Sequence, residues 1–118
     1  MAATLSKSER LCGKTAIAEL MEHGKGGSSG CLRYRFLPGE EVSRILVSVP
    51  KRYFKRAVKR NLLKRRIRES YRLQKELLPV PVDIAFLYQD REVLPFADIY
   101  DAVREVLTAV ALKTKQTN

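Results

Sequence analysis

Eleven of the chain's 23 Lys and Arg residues fall between positions 51 and 72 (KRYFKRAVKRNLLKRRIRESYR), against one acid, Glu69. The other 96 residues carry twelve basic and twelve acidic side chains, so the whole net charge of +10 belongs to this segment. A protein with its excess charge spread evenly needs no partner to explain it. A neutral body with one cationic element implies a polyanion, and nucleic acid is the commonest one.

Placed at 100° per residue, positions 56–78 separate into two surfaces. Leu63, Ile67, Tyr71, Leu77 and Leu78 cluster within about 100° and form the face expected to pack on the rest of the domain, with Leu62 and Leu73 at its flank. Asn61, Lys64, Arg65, Arg68, Arg72 and Lys75 fill a second arc and make a ridge roughly 20 Å long. Lys51, Arg52, Lys55, Arg56, Lys59 and Arg60 extend the charge into the helix's approach. An ordinary solvated helix face mixes Glu with Lys, because like charges at i, i+4 destabilise by about 0.2–0.5 kcal/mol a pair. Lys64/Arg68 and Arg68/Arg72 break that habit. Arginine's planar fork also favours bidentate phosphate contacts.

The remaining pattern supplies a scaffold. Ile17, Leu20 and Met21 predict a short helix over 14–23 that stops at Gly24. GKGGSSG at 24–30 has the composition of a flexible loop. In 31–37, Leu32, Tyr34 and Phe36 alternate with Arg33 and Arg35, which predicts a half-buried strand; 44–49 predicts a second, paired with it as an antiparallel hairpin. The cationic helix is expected from about Lys55 to Leu78, ended by Pro79 and Pro81. Val82, Ile84, Phe86 and Tyr88 give another strand with one buried face. Pro95 suits the first residue of a final helix carrying Phe96, Ile99, Val103, Val106, Leu107 and Val110 on its apolar stripe.

Intermixed helices and strands around one sheet read as a two-layer α/β sandwich of the α+β class. At 118 residues and 45% hydrophobic content, the chain suits one domain across 1–118, with 1–5 and 113–118 expected to fray. No apolar run approaches a membrane span, and residues 1–10 lack the apolar centre of a signal peptide. Two cysteines, Cys12 and Cys31, are too few for a disulfide framework, so the cytoplasm is the expected compartment. Cys12, His23 and Cys31 make a poor ligand set, and no metal site is expected in the protein alone. No glycine-rich phosphate loop or paired carboxylates appear, so no catalytic residue is assigned.

The segment Ala57-Val58-Lys59-Arg60-Asn61-Leu62-Leu63-Lys64-Arg65-Arg66-Ile67-Arg68-Glu69 resembles the signature helix of the bacterial ribonuclease P protein component. Its context agrees: Ser48-Val49-Pro50-Lys51-Arg52 before it, Arg10-Leu11 near the start, and a first helix closed by His23-Gly24. The resemblance covers roughly residues 8–112. It implies an αβββαβα order, a mixed sheet and a long basic helix in the crossover between two strands. It implies a subunit that binds the catalytic RNA of ribonuclease P and the 5′ leader of precursor tRNA. The leader is then removed by Mg²⁺-dependent hydrolysis, with the Mg²⁺ held mainly by the RNA. The endoribonuclease is then the ribonucleoprotein, not the protein alone.

The resemblance maps RNA contacts onto Arg60, Asn61, Lys64, Arg65 and Arg68; Lys51, Arg52, Arg56, Lys59 and Arg72 join them through the charge pattern. It also implies a leader cleft between the sheet and the first helix. Two positions depart from the family pattern. Leu62 stands where a third signature arginine is usual, which puts one RNA contact in doubt. Ile17 and Met21 stand where many relatives have phenylalanines. If rings stack on leader bases, Tyr34, Phe36 and Tyr88 are then the candidates. The rival reading is a non-enzymatic ribosomal or RNA-assembly protein. DNA is not expected as a partner, because no helix-turn-helix precedes the basic helix, and the absence of tryptophan argues against a membrane surface.

Overall fold

The computed structural model describes residues 7–116, so the expected fraying at 1–5 and at 117–118 lies outside the described residues. A 3-10 turn at Lys7–Glu9 leads into α1 (Lys14–His23), then β1 (Lys25–Ser29), β2 (Leu32–Pro38) and β3 (Arg44–Ser48). The basic helix α2 (Ala57–Gln74) follows, then a 3-10 turn at Lys75–Leu77, β4 (Val82–Tyr88) and α3 (Phe96–Gln116). This is the αβββαβα order. The four strands form one mixed sheet in the order β1-β2-β4-β3.

β4 is the centre of the fold. It pairs antiparallel with β2 and parallel with β3. The expected hairpin between β2 and β3 therefore does not form: β4 lies between them. Its sequence explains the insertion. Val82, Ile84, Phe86 and Tyr88 are buried on one face, and Ala85 is buried on the other. A strand apolar on both faces gains most at the middle of a sheet, under helices on each side. Arg44 and Asp83, directly opposite in the parallel register, lock the pairing with two hydrogen bonds of 3.0 and 2.8 Å.

The glycine-rich segment expected as a loop is the edge strand β1, paired with β2 from Lys25↔Phe36 to Ser29↔Leu32. A two-residue turn, Gly30-Cys31, joins them, and its first position needs the positive φ of 55° that Gly30 supplies. Gly27 faces Tyr34, whose ring occupies the space a Cβ on Gly27 would fill. The ring covers a residue that has no side chain of its own to pack.

Helices α2 and α3 cover one face of the sheet, and α1 lies on the other. Leu63, Ile67 and Tyr71 of α2 are fully buried with Ile99, Val103, Val106, Leu107 and Val110 of α3. Burying each such side chain contributes about 1.5–3 kcal/mol relative to leaving it exposed. The core face of α2 therefore rotates as its periodicity predicts, but Leu73 and Leu77 are exposed. The helix tightens into the 3-10 turn at Lys75, which takes Leu77 off the apolar stripe. Ser70 and Gln74 are buried instead; Ser70 donates to the Arg66 carbonyl at 2.7 Å, and the Gln74 amide donates to Ser70 and Tyr100 carbonyls, both at 3.1 Å. At the far end, α3 runs to Gln116, beyond the fraying expected from 113. Pro95 is not its first residue; it stands just before, accepting from the Asp98 and Ile99 amides.

Three buried acidic groups set a pH limit on this core. Burial pushes the Cys31 thiol from 9.0 up to about 11, and the Tyr71 and Tyr88 phenols from 10.0 up to about 12. Each is neutral when folded and ionises more readily when unfolded. Their stabilisation is complete below about pH 9 and is lost as pH rises toward about 12. The thermal midpoint should begin to fall near pH 9 because of Cys31. In Cys31→Ala the onset should move up to about pH 10, where the tyrosines take over. An unchanged onset in a melt series from about pH 7 to 11 would contradict this assignment.

Candidate nucleic-acid interface

The cationic segment is placed by an aromatic anchor. The amides of Tyr53 and Phe54 turn back onto the Pro50 carbonyl, and Phe54 is buried with its ring 5.8 Å from that of Tyr88. Lys51, Arg52, Lys55 and Arg56 are left exposed around this plug. Arg60 donates to the Phe54 carbonyl at 2.7 Å and the Lys55 carbonyl at 3.0 Å, tying the connection to the first turn of α2. Arg66 donates to the Leu94 carbonyl at 2.5 Å and fixes the loop after β4. Two of the arginines thus hold backbone in place.

Along α2, Asn61, Lys64, Arg65 and Arg68 follow at spacings of three, one and three residues and share one side of the helix, as expected. Asn61 and Arg65 are exposed; Lys64, Arg68 and Leu62 are half-buried. The ridge is not uniformly free at its C-terminal end. Arg72 forms a two-point ion pair with Glu69, at 2.6 and 3.0 Å, and this contact holds the Glu69 carboxyl below its usual range. Lys75 pairs with Glu9 at 2.6 Å. The expected repulsion between Arg68 and Arg72 is therefore answered locally by Glu69.

Among the described residues, none of the ten basic side chains from Lys51 to Arg68 makes an ion pair. The acids that do pair with Lys or Arg among the described residues take other partners: Asp83 takes Arg44, Glu9 takes Lys75, and Glu69 of α2 takes Arg72. Burial, together with the positive charge of Arg10, lowers the pKa of the Arg68 guanidinium. The surface is a built concentration of uncompensated positive charge, suited to phosphates.

The sheet face beside α1 differs from expectation. Tyr34, Phe36 and Tyr88 are buried on the opposite face, under α2 and α3. Tyr34 and Phe36 therefore do not face α1, and Tyr88 meets that side only where it borders the cavity described below. The alternation along β2 turns Arg33 and Arg35 toward α1 instead, and Arg35 donates to the carbonyl of Gly24 at the end of that helix. Ile17 and Met21 are half-buried in a second cluster with Leu37, Leu46 and Ala85. Beyond the Arg35↔Ala85 pair, two residues or about 7 Å along the strands, lies a cavity. It is lined by Arg33, Leu87 and Tyr88 from the sheet, Pro50, Arg52 and Tyr53 from the connection to α2, and Gln89. Tyr53 is the half-buried ring there, flanked by Arg52 at 5.1 Å and Arg91 at 5.3 Å. Sequence periodicity carries no signal for Tyr53, which sits in an irregular connection.

His23 is exposed in the last turn of α1. Among the described residues, no three His, Cys, Asp or Glu side chains gather to hold a metal, and no helix is long and apolar enough to cross a membrane.

If the free cations are satisfied by a polyanion, added anions should raise stability, through screening over about 8–10 Å and through binding to the folded form. Sulfate and phosphate should raise the thermal midpoint above that in chloride at matched ionic strength. Equal midpoints in all three would show that screening alone acts.

The profile of the family Ribonuclease P matches residues 5–111. The ribonuclease P protein component of Porphyromonas gingivalis is 38% identical over 118 residues, covering 91% of this chain and 86% of the relative. That of Chlorobaculum tepidum is 35% identical over 105 residues, covering 74% and 68%. The structure of the Staphylococcus aureus RNase P protein aligns with a TM-score of 0.78 at 21% identity, covering 88% of this chain and 96% of that one. The protein from Thermotoga maritima aligns at 0.75 with 23% identity, covering 86% and 96%. These two speak for the fold.

Proposed function

Because this chain belongs to the ribonuclease P protein component family, we propose that it binds the catalytic RNA through the free cations of α2 and the precursor 5′ leader beside α1. The family is the protein component of the endonuclease that removes the 5′ leader from precursor tRNA, and the protein is not the catalyst by itself. A ribosomal or assembly role is not favoured, since the family match spans residues 5–111. Our reading takes residues 1–118 as one RNA-binding domain acting in the cytoplasm. The metal is Mg²⁺, held mainly by the RNA, where it polarises the scissile phosphate and activates water.

One observation carries the proposal: ten basic side chains from Lys51 to Arg68 have no ion-pair partner among the described residues. Lys51, Arg52, Arg56, Lys59, Asn61, Lys64, Arg65 and Arg68 take RNA phosphates and sugars. Arg60 contributes what remains of its fork after the two carbonyls, and Arg72 makes the weakest contribution because Glu69 already holds it.

Ile17 and Met21 form the α1 wall of the leader path, and Arg33, Arg52 and Tyr53 continue it across the sheet. A guanidinium over a half-buried ring is worth about 0.5–2 kcal/mol, and a stacked base about 1–3 kcal/mol. A leader base can therefore displace Arg52 or Arg91 from Tyr53, freeing that guanidinium for the adjoining phosphate.

Reconstitution with the cognate RNA tests this reading. The protein alone should release no leader, and the reconstituted particle should release it in Mg²⁺. Tyr53→Ala in the particle should weaken precursor tRNA binding by about tenfold while leaving mature tRNA and catalytic RNA affinity unchanged. Equal weakening for mature tRNA would remove the leader from the Tyr53 cavity.

A further inference from the structure

The free charge on α2 does not end on α2. After the turn at Lys7–Glu9 the chain runs along the outer edge of the sheet. There Arg10 forms a parallel bridge with Ile45, the Leu11 amide donates to the Ile45 carbonyl at 2.8 Å, and the Leu11 side chain is buried. The backbone at Arg10 is thus fixed from both sides. Glu9, one residue earlier, pairs with Lys75 at 2.6 Å and draws this segment against α2. Ile45, the bridge partner of Arg10, is buried in the cluster under α2, and Leu11 is buried in the cluster under α1, so the alternation puts the Arg10 side chain on the α2 side of the sheet. Arg68 lies on α2 two turns back from Lys75, about 10 Å, and the charge of Arg10 acts on it.

The four cations at this junction divide into two kinds. Lys75 and Arg72 have carboxylates, Glu9 and Glu69. Arg10 and Arg68 have neither an acid nor a carbonyl partner among the described residues, although Arg68 is half-buried. Two like charges on the same side of the sheet, neither with an acid partner among the described residues, oppose folding, and a phosphodiester oxygen pair is the group that both forks match.

We propose that Arg10 and Arg68 together form one phosphate-binding subsite for the RNA backbone, extending the interface from the signature helix onto the N-terminal segment. The proposal rests on the reading of α2 as the RNA-binding face. Arg10 is a positioned ligand group, since its backbone is held by β3 and its approach by the Glu9–Lys75 pair. Such preorganisation lowers the ordering cost of binding. The two ion pairs beside it mark where the RNA-binding ridge stops.

The test uses the full chain and its cognate ribonuclease P RNA, titrated across a salt series, with a thermal melt of each free variant. Arg10→Ala and Arg68→Ala should each weaken binding about tenfold and lower the salt slope by about one unit. The double variant should lose less than the product of the two, because both remove the same phosphate. Thermal midpoints should hold or rise in all three, as repulsion is relieved, and Arg104→Ala on α3 should change nothing. Wild-type affinity and slope in Arg10→Ala with a weakened Arg68→Ala would reject the subsite and leave the α2 ridge standing. A lower midpoint with an unchanged slope in Arg10→Ala would make it a fold support and also reject the subsite. Losses that simply multiply would assign two separate phosphates and reject the shared one. Wild-type binding in both single variants would overturn the α2 reading itself.

Discussion

Burial of Leu63, Ile67 and Tyr71 against the sheet holds α2 in a place where its own charges repel one another. The apolar side contributes several kcal/mol by area, while like-charged pairs on the outer side each subtract about 0.2–0.5 kcal/mol. Because the first effect outweighs the second, the helix stays docked although only Arg72 among its cations has an acid partner among the described residues. Among the described residues, the carboxylates that form ion pairs stand off the stretch from Lys51 to Arg68: Asp83 on β4 holds Arg44, and Glu69 and Glu9 hold only Arg72 and Lys75 beyond its end. Positive charge remains where a polyanion can reach it. Phosphate contacts of this kind supply affinity and register without reading sequence, which suits the RNA partner proposed for this chain.

The sheet contributes through its two faces. One is closed by α2 and α3, and it consumes the aromatic residues Tyr34, Phe36, Phe86 and Tyr88. The other is only partly closed by α1, leaving Arg33, Leu87 and the Pro50–Tyr53 connection to line a cavity. Phe54 links the two: its ring is in the core, and exposed cations stand close to it along the chain at Arg52 and Lys55. The proposed leader path and the proposed RNA-binding ridge are therefore set by the same connection.

Much of this was legible because amphipathic periodicity is a local property. The bounds of α1 and β4 follow from their apolar spacing, and so does the rotation of α2 that buries Leu63, Ile67 and Tyr71. Pairing is not local. Alternation in β2 correctly opposes Arg33 and Arg35 to Tyr34 and Phe36, yet it does not say which face α1 takes, and Tyr34 and Phe36 lie on the face away from it. Nor could it reveal that β4 would separate β2 from β3. The strand at Lys25–Ser29 was hidden because its stability comes from Tyr34 covering Gly27 across the ladder. The family resemblance supplies the fourth strand that composition does not. Roles of single arginines were least legible: Arg60 and Arg66 reach carbonyls that only the folded backbone brings near.

The central claim is that cations on α2 oppose folding and favour RNA binding. Its most direct test is the Lys64→Ala/Arg65→Ala double variant of the full chain, melted at low salt and titrated with the cognate RNA across a salt series. The thermal midpoint should hold or rise, while affinity falls and the salt slope drops by about two units. Ile67→Ala should do the reverse, losing about 2–5 kcal/mol of stability with an unchanged slope. A Lys64→Ala/Arg65→Ala variant that melts earlier and binds RNA with the wild-type slope would contradict the account.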